Sequence, residues 1–493
     1  MDVVLFSDIS PHQIWIRTIG VYRLASICRK AGLSTKVLYG LTDYPPEIQR
    51  QIVERYVTKE TKLVALSTTF MVARARYSGT SSLRNKYAQE LLDLIKEKKE
   101  QFPHIPFVAG GGNSNDEIFS FFDHVALGYG DQLITKFATD IHSLKKFRRV
   151  VDGRNIYISD NTFNNDYSTE YHETDVIHRN ETMTIEVSRG CKFKCKFCSF
   201  PLNGRKANEY IKPGPILEKE FIDNYERFGI QNYILADDTF NEDAEKLEYF
   251  LGIVENLPFK IQYTGYFRLD LLDKQRAYWK RLLDSGLRGA FFGIETLNDK
   301  SAQVIGKGFG RESTLKTLYD LREIWGDEVN TAAGFIVGLP YDTKEEFQKW
   351  ADIVRAPGFP VHCKSFEPLS INKKSDISPW QSEFQMDSEK WGYKLFEKRE
   401  GKYYWESPDW NYAEAAVVAE KTVREIAEHG GQNFGSFKVQ MLMGLGLSYK
   451  EAFSLIPGDK ASIERINEVV SSRIKANLDR ELALLERPAQ VKS

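Results

Sequence analysis

Short apolar runs alternate with longer stretches of helical periodicity through residues 1–145. VVLF at 3–6 precedes GVYRLASICRKAG, an amphipathic pattern that stops at Gly32, and TKVLYG supplies a second run. KLVALS at 62–67 is a third, followed by an amphipathic helix around 82–99. IPFVAGGG at 105–112 and HVALGYGD at 124–131 are the fourth and fifth. Strand–helix alternation with glycines at strand carboxyl ends predicts an α/β fold, a Rossmann-like doubly wound parallel sheet over 1–145. Ligands of such sheets sit beyond the strand carboxyl ends, where these glycines fall.

Residues 146–182 are polar and weakly periodic and read as a connector. From 183 the alternation resumes in longer units. Strands are expected near 183–187, 233–236, 261–265, 290–294, 332–337 and 364–369, with helical patterns between them. Thr343-Lys344-Glu345-Glu346 has the form of a capping box opening one of those helices. Six strand–helix units over 183–375 predict a partial (β/α)6 barrel with its chemistry at the strand carboxyl rim. Residues 376–493 break the pattern and are expected to be mainly helical, with helices near 412–429, from Ser448 onward, and near 461–487.

The balance of the chain suits a soluble globular protein of several domains: 493 residues, 42% hydrophobic, 28% charged, net charge −2. No basic stripe marks general nucleic-acid binding, and no apolar run has the length of a membrane span. The opening MDVVLFSDIS has no basic n-region and reads as a buried strand, so a cytoplasmic location is expected.

Three of the five cysteines, Cys191, Cys195 and Cys198, crowd into EVSRGCKFKCKFCSF at the end of the first barrel strand. Three thiolates on one loop suit three irons of a 4Fe-4S cluster and leave a fourth iron open. A zinc site would want a fourth ligand, and His172 and His178 lie at no familiar zinc spacing. Accidental burial is at odds with the interleaved Lys192, Lys194 and Lys196. These read as solvated loop charges, or as groups that offset cluster charge or dock an acidic donor. Cys28, within a helical pattern, and Cys363 read as structural.

C-x3-C-x2-C with the aromatic Phe197 before the last cysteine resembles the signature of the radical SAM superfamily, as does its place after a barrel's first strand. The resemblance covers about 183–370. It implies an enzyme whose 4Fe-4S cluster, on Cys191, Cys195 and Cys198, binds S-adenosylmethionine (SAM) at its free iron and cleaves it to a hydrogen-abstracting radical. The protein then supplies binding, orientation and exclusion of water. Rim segments in the matching order would contact SAM: Phe197 through its backbone, Asp237, Arg268 and Glu295 through polar groups, and Val337 and Gly338 at the adenine edge. No further catalytic side chain is singled out. An electron donor such as flavodoxin or ferredoxin is implied, together with a small-molecule or peptide substrate that no motif names.

The first 145 residues resemble the cobalamin-binding domain that precedes the barrel in one radical SAM subfamily. IGVYRLASICRKAGLSTKVL (19–38), Ser67-Thr68-Thr69, Gly110-Gly111-Gly112 and Gly128-Tyr129-Gly130 carry that likeness. Small residues there let a corrin approach the backbone. The Asp-x-His-x-x-Gly motif that ligates cobalt in many cobalamin proteins is missing, and His12 has no Asp two residues before it. Trp380, Trp391, Trp405 and Trp410, with nearby tyrosines including Tyr403, read as glue between a small carboxy-terminal region and the barrel, or as a stacking wall for substrate. The expected activity is cobalamin-dependent methyl transfer to an unactivated carbon. The alternatives are a cobalamin-independent rearrangement, cyclisation or oxidation, with the first domain a structural or substrate-binding module, and a non-catalytic iron–sulfur carrier.

Overall fold

A computed structural model describes residues 1–7, 16–69, 87–114, 116–160, 162–200, 202, 204–205, 207–378, 380–396, 404–428 and 437–487. His12, Tyr403 and the start of the helix expected from 82 lie outside them. The chain forms two compact units, 1–179 with 468–493, and 180–467.

The first unit is built on one sheet of β1 (Val3–Ser7), β2 (Thr35–Tyr39), β3 (Leu63–Ser67), β4 (Phe107–Gly110), β5 (His124–Leu127), β6 (Arg148–Val151) and β7 (Arg154–Ile158). Their order is β2-β1-β3-β4-β5-β7-β6. Every pairing is parallel except β6 with β7. β1 and β2 are buried at every position, as strands covered on both faces must be. Helices α1 (Ile19–Lys30), α2 (Pro46–Tyr56) and α3 (Ala88–Gln101) belong to the same unit. Ile52 and Val53 of α2 and Leu91 and Ile95 of α3 join Val4, Phe6, Leu38, Val64 and Phe107 in one core. The strand order reverses between β1 and β3, which makes a crevice at their carboxyl ends.

The connector expected at 146–182 is corrected by the structure. β6 and β7 lie within it as a hairpin that extends the sheet, with β7 parallel to β5. The turn is Asp152-Gly153, both at positive φ (49° and 77°), the geometry a two-residue hairpin loop demands. The residues after it are tied to α1. Arg23 donates to the carbonyls of Tyr167 and Asn164 at 2.8 and 2.5 Å, and Arg29 bridges Asp175 at 3.0 Å.

The second unit contains β8 (Thr182–Ile185), β9 (Asn232–Leu235), β10 (Gln262–Phe267), β11 (Leu287–Glu295), β12 (Asn330–Val337) and β13 (Cys363–Pro368). Each is parallel to the next, in chain order. Helices α4 (Gly214–Phe228), α5 (Ala244–Asn256), α6 (Arg311–Trp325) and α7 (Lys344–Arg355) are crossovers between them. Thr343 caps α7 by accepting from the Glu346 amide at 3.2 Å, while the Glu346 side chain turns to Lys349 instead of closing the box.

Strand alternation sorts the barrel wall. Tyr263 and Phe267 of β10 pack edge-on against Phe240, and Tyr263 also against Phe250 of α5. Phe292 of β11 stacks on Trp325 of α6. Tyr266 and Phe291, one residue out of step, face the opposite side, the barrel interior.

Helix α8 (Tyr412–Glu428) packs on β13, and helix α9 (Phe437–Gly444) packs on β8 to β11. α9 stops the amino-terminal mouth of the barrel. Gln440 accepts from Thr182 Oγ1 at 2.5 Å through its carbonyl and donates through Nε2 to the Gln262 carbonyl at 3.0 Å. Thr182 and Gln262 are the first residues of their strands.

The region 376–493 is helical as expected but does not hold together as one part. Helix α10 (Lys460–Glu486) enters the first unit from 468, where Ile474, Leu478 and Leu485 pack against the core. No helix among the described residues is long and apolar enough to cross a membrane.

Candidate active site: the cysteine loop and the barrel rim

The cysteine loop leaves β8 through Glu186-Val187-Ser188-Arg189-Gly190. Gly190 has φ 100°, and a Cβ there would fall 3.3 Å from the Arg205 carbonyl. Backbone bonds then fold the loop: Gly204 N to Cys191 O at 2.8 Å, Cys198 N to Cys195 O at 3.0 Å, and Lys196 N to Ile305 O at 3.1 Å. The sequence needs no helix or strand here. A glycine and these turns bring three thiols onto one loop.

Cys191 is buried, with Thr239 Oγ1 at 3.3 Å from its sulfur, and burial pushes its thiol above the ordinary range. Cys195 and Cys198 are partly exposed. Arg268 Nη1 lies 3.5 Å from Cys195 Sγ, and its guanidinium stands 3.8 Å above the Phe193 ring. Asp270 fixes that guanidinium at 3.0 and 2.8 Å. Arg268 Nη2 also reaches the Lys307 carbonyl at 3.4 Å. Lys307 Nζ in turn lies 3.2 Å from Glu295 Oε1 and 2.8 Å from the Gly293 carbonyl it donates to. Glu295 is at φ 71°, a strained value for a glutamate, beside a register break in the pairing of β11 with β12. Two cations therefore stand next to the thiols, and a carboxylate is held in a costly conformation beside one of them.

Among the described residues, no three His, Cys, Asp or Glu side chains are placed to hold one metal ion between them. A mononuclear zinc centre needs such convergence, whereas a cubane cluster takes each cysteine at a separate iron. The donor set fits the cluster. His172 instead caps a helical turn, accepting from the Thr174 amide. Cys28 and Cys363 are buried, their thiols both pushed up to about 12 by desolvation. Two of the loop lysines are engaged, Lys192 with the Glu242 carbonyl at 2.6 Å and Lys196 with Glu383 at 2.5 Å. Lys194 is exposed.

The rim residues singled out in the sequence divide into two groups. Phe197, Arg268 and Glu295 join the cysteine loop through Lys307, whose Nζ lies 5.9 Å from the centre of the Phe197 ring. Asp237 does not present a free carboxylate. It is 1% exposed, bonded to Lys246 of α5 at 2.6 Å, to the Val187 amide at 3.0 Å and to the Ser188 hydroxyl at 2.6 Å. It positions the start of the cysteine loop instead. Its neighbour Asp238, in the bend that follows β9, is exposed.

Val337 and Gly338 are also committed to packing. The Val337 carbonyl accepts from Leu369 N at 2.9 Å and the Gly338 carbonyl from the Tyr393 hydroxyl at 2.8 Å. Gly338 has φ 93°, and a Cβ there would strike the Trp405 ring. Trp405, Trp410 and Tyr393 are all buried, which makes these three aromatics the glue of the carboxy-terminal segment. Lys307, Thr239 and Asp238 were not singled out individually. Asp238 and Thr239 fall within the Asp-Asp-Thr-Phe rim segment, whereas Lys307 sits in a loop that no motif marks.

In the first unit the segments after β3, β4 and β5 meet at the carboxyl edge of the sheet. Thr68 donates to the Gly110 carbonyl from N at 2.7 Å and from Oγ1 at 3.0 Å. Asn113 Nδ2 donates to the carbonyls of Thr68 and Thr69, each at 3.0 Å. Gly111, at φ 108°, lies so close that a Cβ would sit 2.5 Å from Thr69 Oγ1. No atom of a described residue lies within 4 Å of where a Gly112 Cβ would stand, and Thr69 is exposed. Ser67 and Gly128 are half-buried, Gly130 packs against Leu24, and Tyr129 rests 5.2 Å from Phe163. Among the described residues the edge is thus backbone and small side chains, the lining a broad planar ligand would need.

Residues 185–354 match the family model described as the radical SAM superfamily. An uncharacterized methyltransferase of Pyrococcus horikoshii is 26% identical over 164 residues, which are 33% of this chain and 34% of that protein. The chain thus spans about a third of that relative. Among solved structures, the radical SAM methyltransferase TsrM from Kitasatospora setae, with tryptophan substrate and a SAM analogue bound, superposes with a TM-score of 0.68. That match has 14% identity and covers 95% of this chain and 100% of that one. The cobalamin-dependent SAM radical enzyme OxsB, with aqua-cobalamin and SAM bound, gives a TM-score of 0.61 at 13% identity, covering 98% and 78%. At such identities the likeness establishes the fold. Residues 185–354 thus form a domain of the radical SAM superfamily, and the chain has the fold of these two enzymes.

Proposed function

We propose that Cys191, Cys195 and Cys198 hold a 4Fe-4S cluster, that SAM binds beside it, and that the enzyme transfers a methyl group to an unactivated carbon with cobalamin. The observation that carries this reading is the set of three thiols on one rim loop with Arg268 Nη1 at 3.5 Å from Cys195 Sγ. When bound, these groups supply electrons, a methyl source and a methyl carrier.

The chain's own residues do the rest. Arg268 offsets negative charge at Cys195, and Asp270 keeps its guanidinium in place. Asp237 anchors Val187 and Ser188, so the loop starts from a fixed strand end. Lys307 and Glu295 offer a paired cation and carboxylate to the polar groups of SAM. Phe197, on the same side, offers its backbone and ring. The open edge of Ser67-Thr68-Thr69, Gly110-Gly111-Gly112 and Gly128-Tyr129-Gly130 would receive the corrinoid through backbone and hydroxyl contacts. Exposed Lys194 suits an acidic electron donor such as flavodoxin or ferredoxin.

Anaerobic reconstitution tests the reading. The wild type should take up about four irons per chain, cleave SAM under reduction, and bind hydroxocobalamin. Cys195→Ala should lose the cluster and SAM cleavage while remaining soluble. Retained cleavage in that variant removes the cluster assignment. A reconstituted protein that cleaves SAM yet takes up no corrinoid leaves a cobalamin-independent radical reaction in its place.

A further inference from the structure

The inner wall of the barrel carries an arrangement that the cysteine loop does not use. Tyr266 of β10 and Phe291 of β11 face inward, their ring centres 5.5 Å apart and nearly perpendicular. Phe437, at the first turn of the α9 plug, meets Tyr266 edge-to-face at 4.7 Å and lies 6.5 Å from Phe291. Gly334 on β12 leaves room for the Phe291 ring, since a Cβ there would stand 2.8 Å from its Cζ. Buried aromatic clusters of this kind normally exclude solvent. Here Tyr266 remains 40% exposed, so solvent reaches the ring cluster.

Asp238 lies in the bend that follows β9, a loop held against Tyr266 by the Phe240 amide, which donates to the Tyr266 carbonyl at 2.9 Å. Its side chain is exposed, and the charges around it are Asp237, Lys246, Glu186 and Glu242. No lysine, arginine or histidine among the described residues bridges it, whereas its neighbours are matched, Asp237 by Lys246 and Glu186 by Arg189. Desolvation and then the adjacent Asp237 raise its carboxyl to about 6 against the opposing pull of Lys246, and the Tyr266 phenol is raised chiefly by desolvation, with the charge of Asp238 adding to it. A carboxylate in a partly desolvated site is costly without a cation, and aromatic faces attract cations by their quadrupole.

We infer that Asp238, Tyr266, Phe291 and Phe437 form the substrate pocket, and that its substrate is an organic cation, an aliphatic amine or ammonium attached to an apolar or aromatic body. This rests on the reading above, in which the barrel interior is the reaction chamber. The ammonium meets Asp238 and the Tyr266 face, and the apolar body lies against Phe291 and Phe437.

Isothermal titration of the full chain with phenethylamine and with its neutral counterpart 2-phenylethanol separates charge from shape. The amine should bind at least about tenfold tighter than the alcohol at pH 7.5, and that preference should shrink as pH falls below about 6. Asp238→Asn should remove the preference and leave alcohol binding unchanged. Phe437→Ala should weaken both ligands. Equal affinities in the wild type, or a preference that survives Asp238→Asn, overturn the inference. So does an Asp238→Asn variant that loses SAM binding but keeps the amine preference, because Asp238 would then serve SAM. Cys195→Ala should retain the amine preference while losing the cluster, so the pocket and the radical chemistry fail on separate measurements.

Discussion

Asp342 is fully buried just beyond β12, and its two oxygens accept from Trp350 Nε1 at 3.0 and 3.2 Å. Desolvation lifts its carboxyl from 3.8 to about 7. The folded protein therefore binds this proton more tightly than the unfolded chain. The linked stability is fully present below about pH 4 and is lost as pH rises towards 7, on the order of 3–4 kcal/mol over the window. Asp342→Asn keeps a polar partner for Trp350 and cannot titrate. Its urea midpoint should change little between pH 5 and 8, where that of the wild type falls; parallel slopes would contradict the burial argument. At this scale the sequence was most legible where chemistry is local. Three cysteines in eight residues announce themselves without a fold. Asp237 and Asp238 form one feature in the sequence, and only the Lys246, Val187 and Ser188 partners of Asp237 tell them apart. The rings packed beside Gly338, Tyr393 and Trp405, come from the tail, which carries no motif that announces them.

At the scale of elements, periodicity carried nearly all of both sheets. The six strands of the barrel were each anticipated to within a few residues, because inward and outward faces alternate against a helical layer. The hairpin at 148–158 was overlooked although Asp-Gly between two apolar pairs is a strong turn signal, since flanking arginines made the region look polar. α2 was overlooked too. It opens with prolines, which suit a first helical turn, yet they read as a loop. The α9 plug has almost no amphipathic signal, being buried around most of its circumference, and only tertiary packing defines it. Its close approach to β8 is set by Gly444, where a Cβ would fall 2.6 Å from Thr182 N. Gly444→Val should cost about 1–3 kcal/mol, as overpacking does. Calorimetry should show a lower melting temperature, and phenethylamine binding should weaken with it as Phe437 shifts; an unchanged melting temperature would mean the plug contributes little.

For the whole chain, the tail's return to the first unit is the least expected feature. Lys36 of β2 and Glu481 of α10 are 445 positions apart and both buried, with Lys36 Nζ 3.1 Å from Glu481 Oε1 and 2.5 Å from the Thr174 carbonyl. Nothing local in either segment signals this pairing, so sequence reading assigned the tail to one carboxy-terminal region. Removing one partner strands the other charge in a low-dielectric site. Glu481→Ala should therefore cost about 3–5 kcal/mol, while Lys36→Met with Glu481→Leu should recover most of it. Chemical denaturation of the wild type and both variants measures this, and a double variant as weak as the single one would reject the charge-stranding account.

That return also dictates an order of birth. A ribosome releases the first sheet early, but Ile474, Leu478 and Leu485, which cover part of its core, are polymerised only after the entire barrel. Nascent first units must wait with an uncovered apolar face through nearly three hundred further residues. The barrel, contiguous in the chain, is free to mature during that interval, so the cysteine loop is in place before the first sheet is sealed.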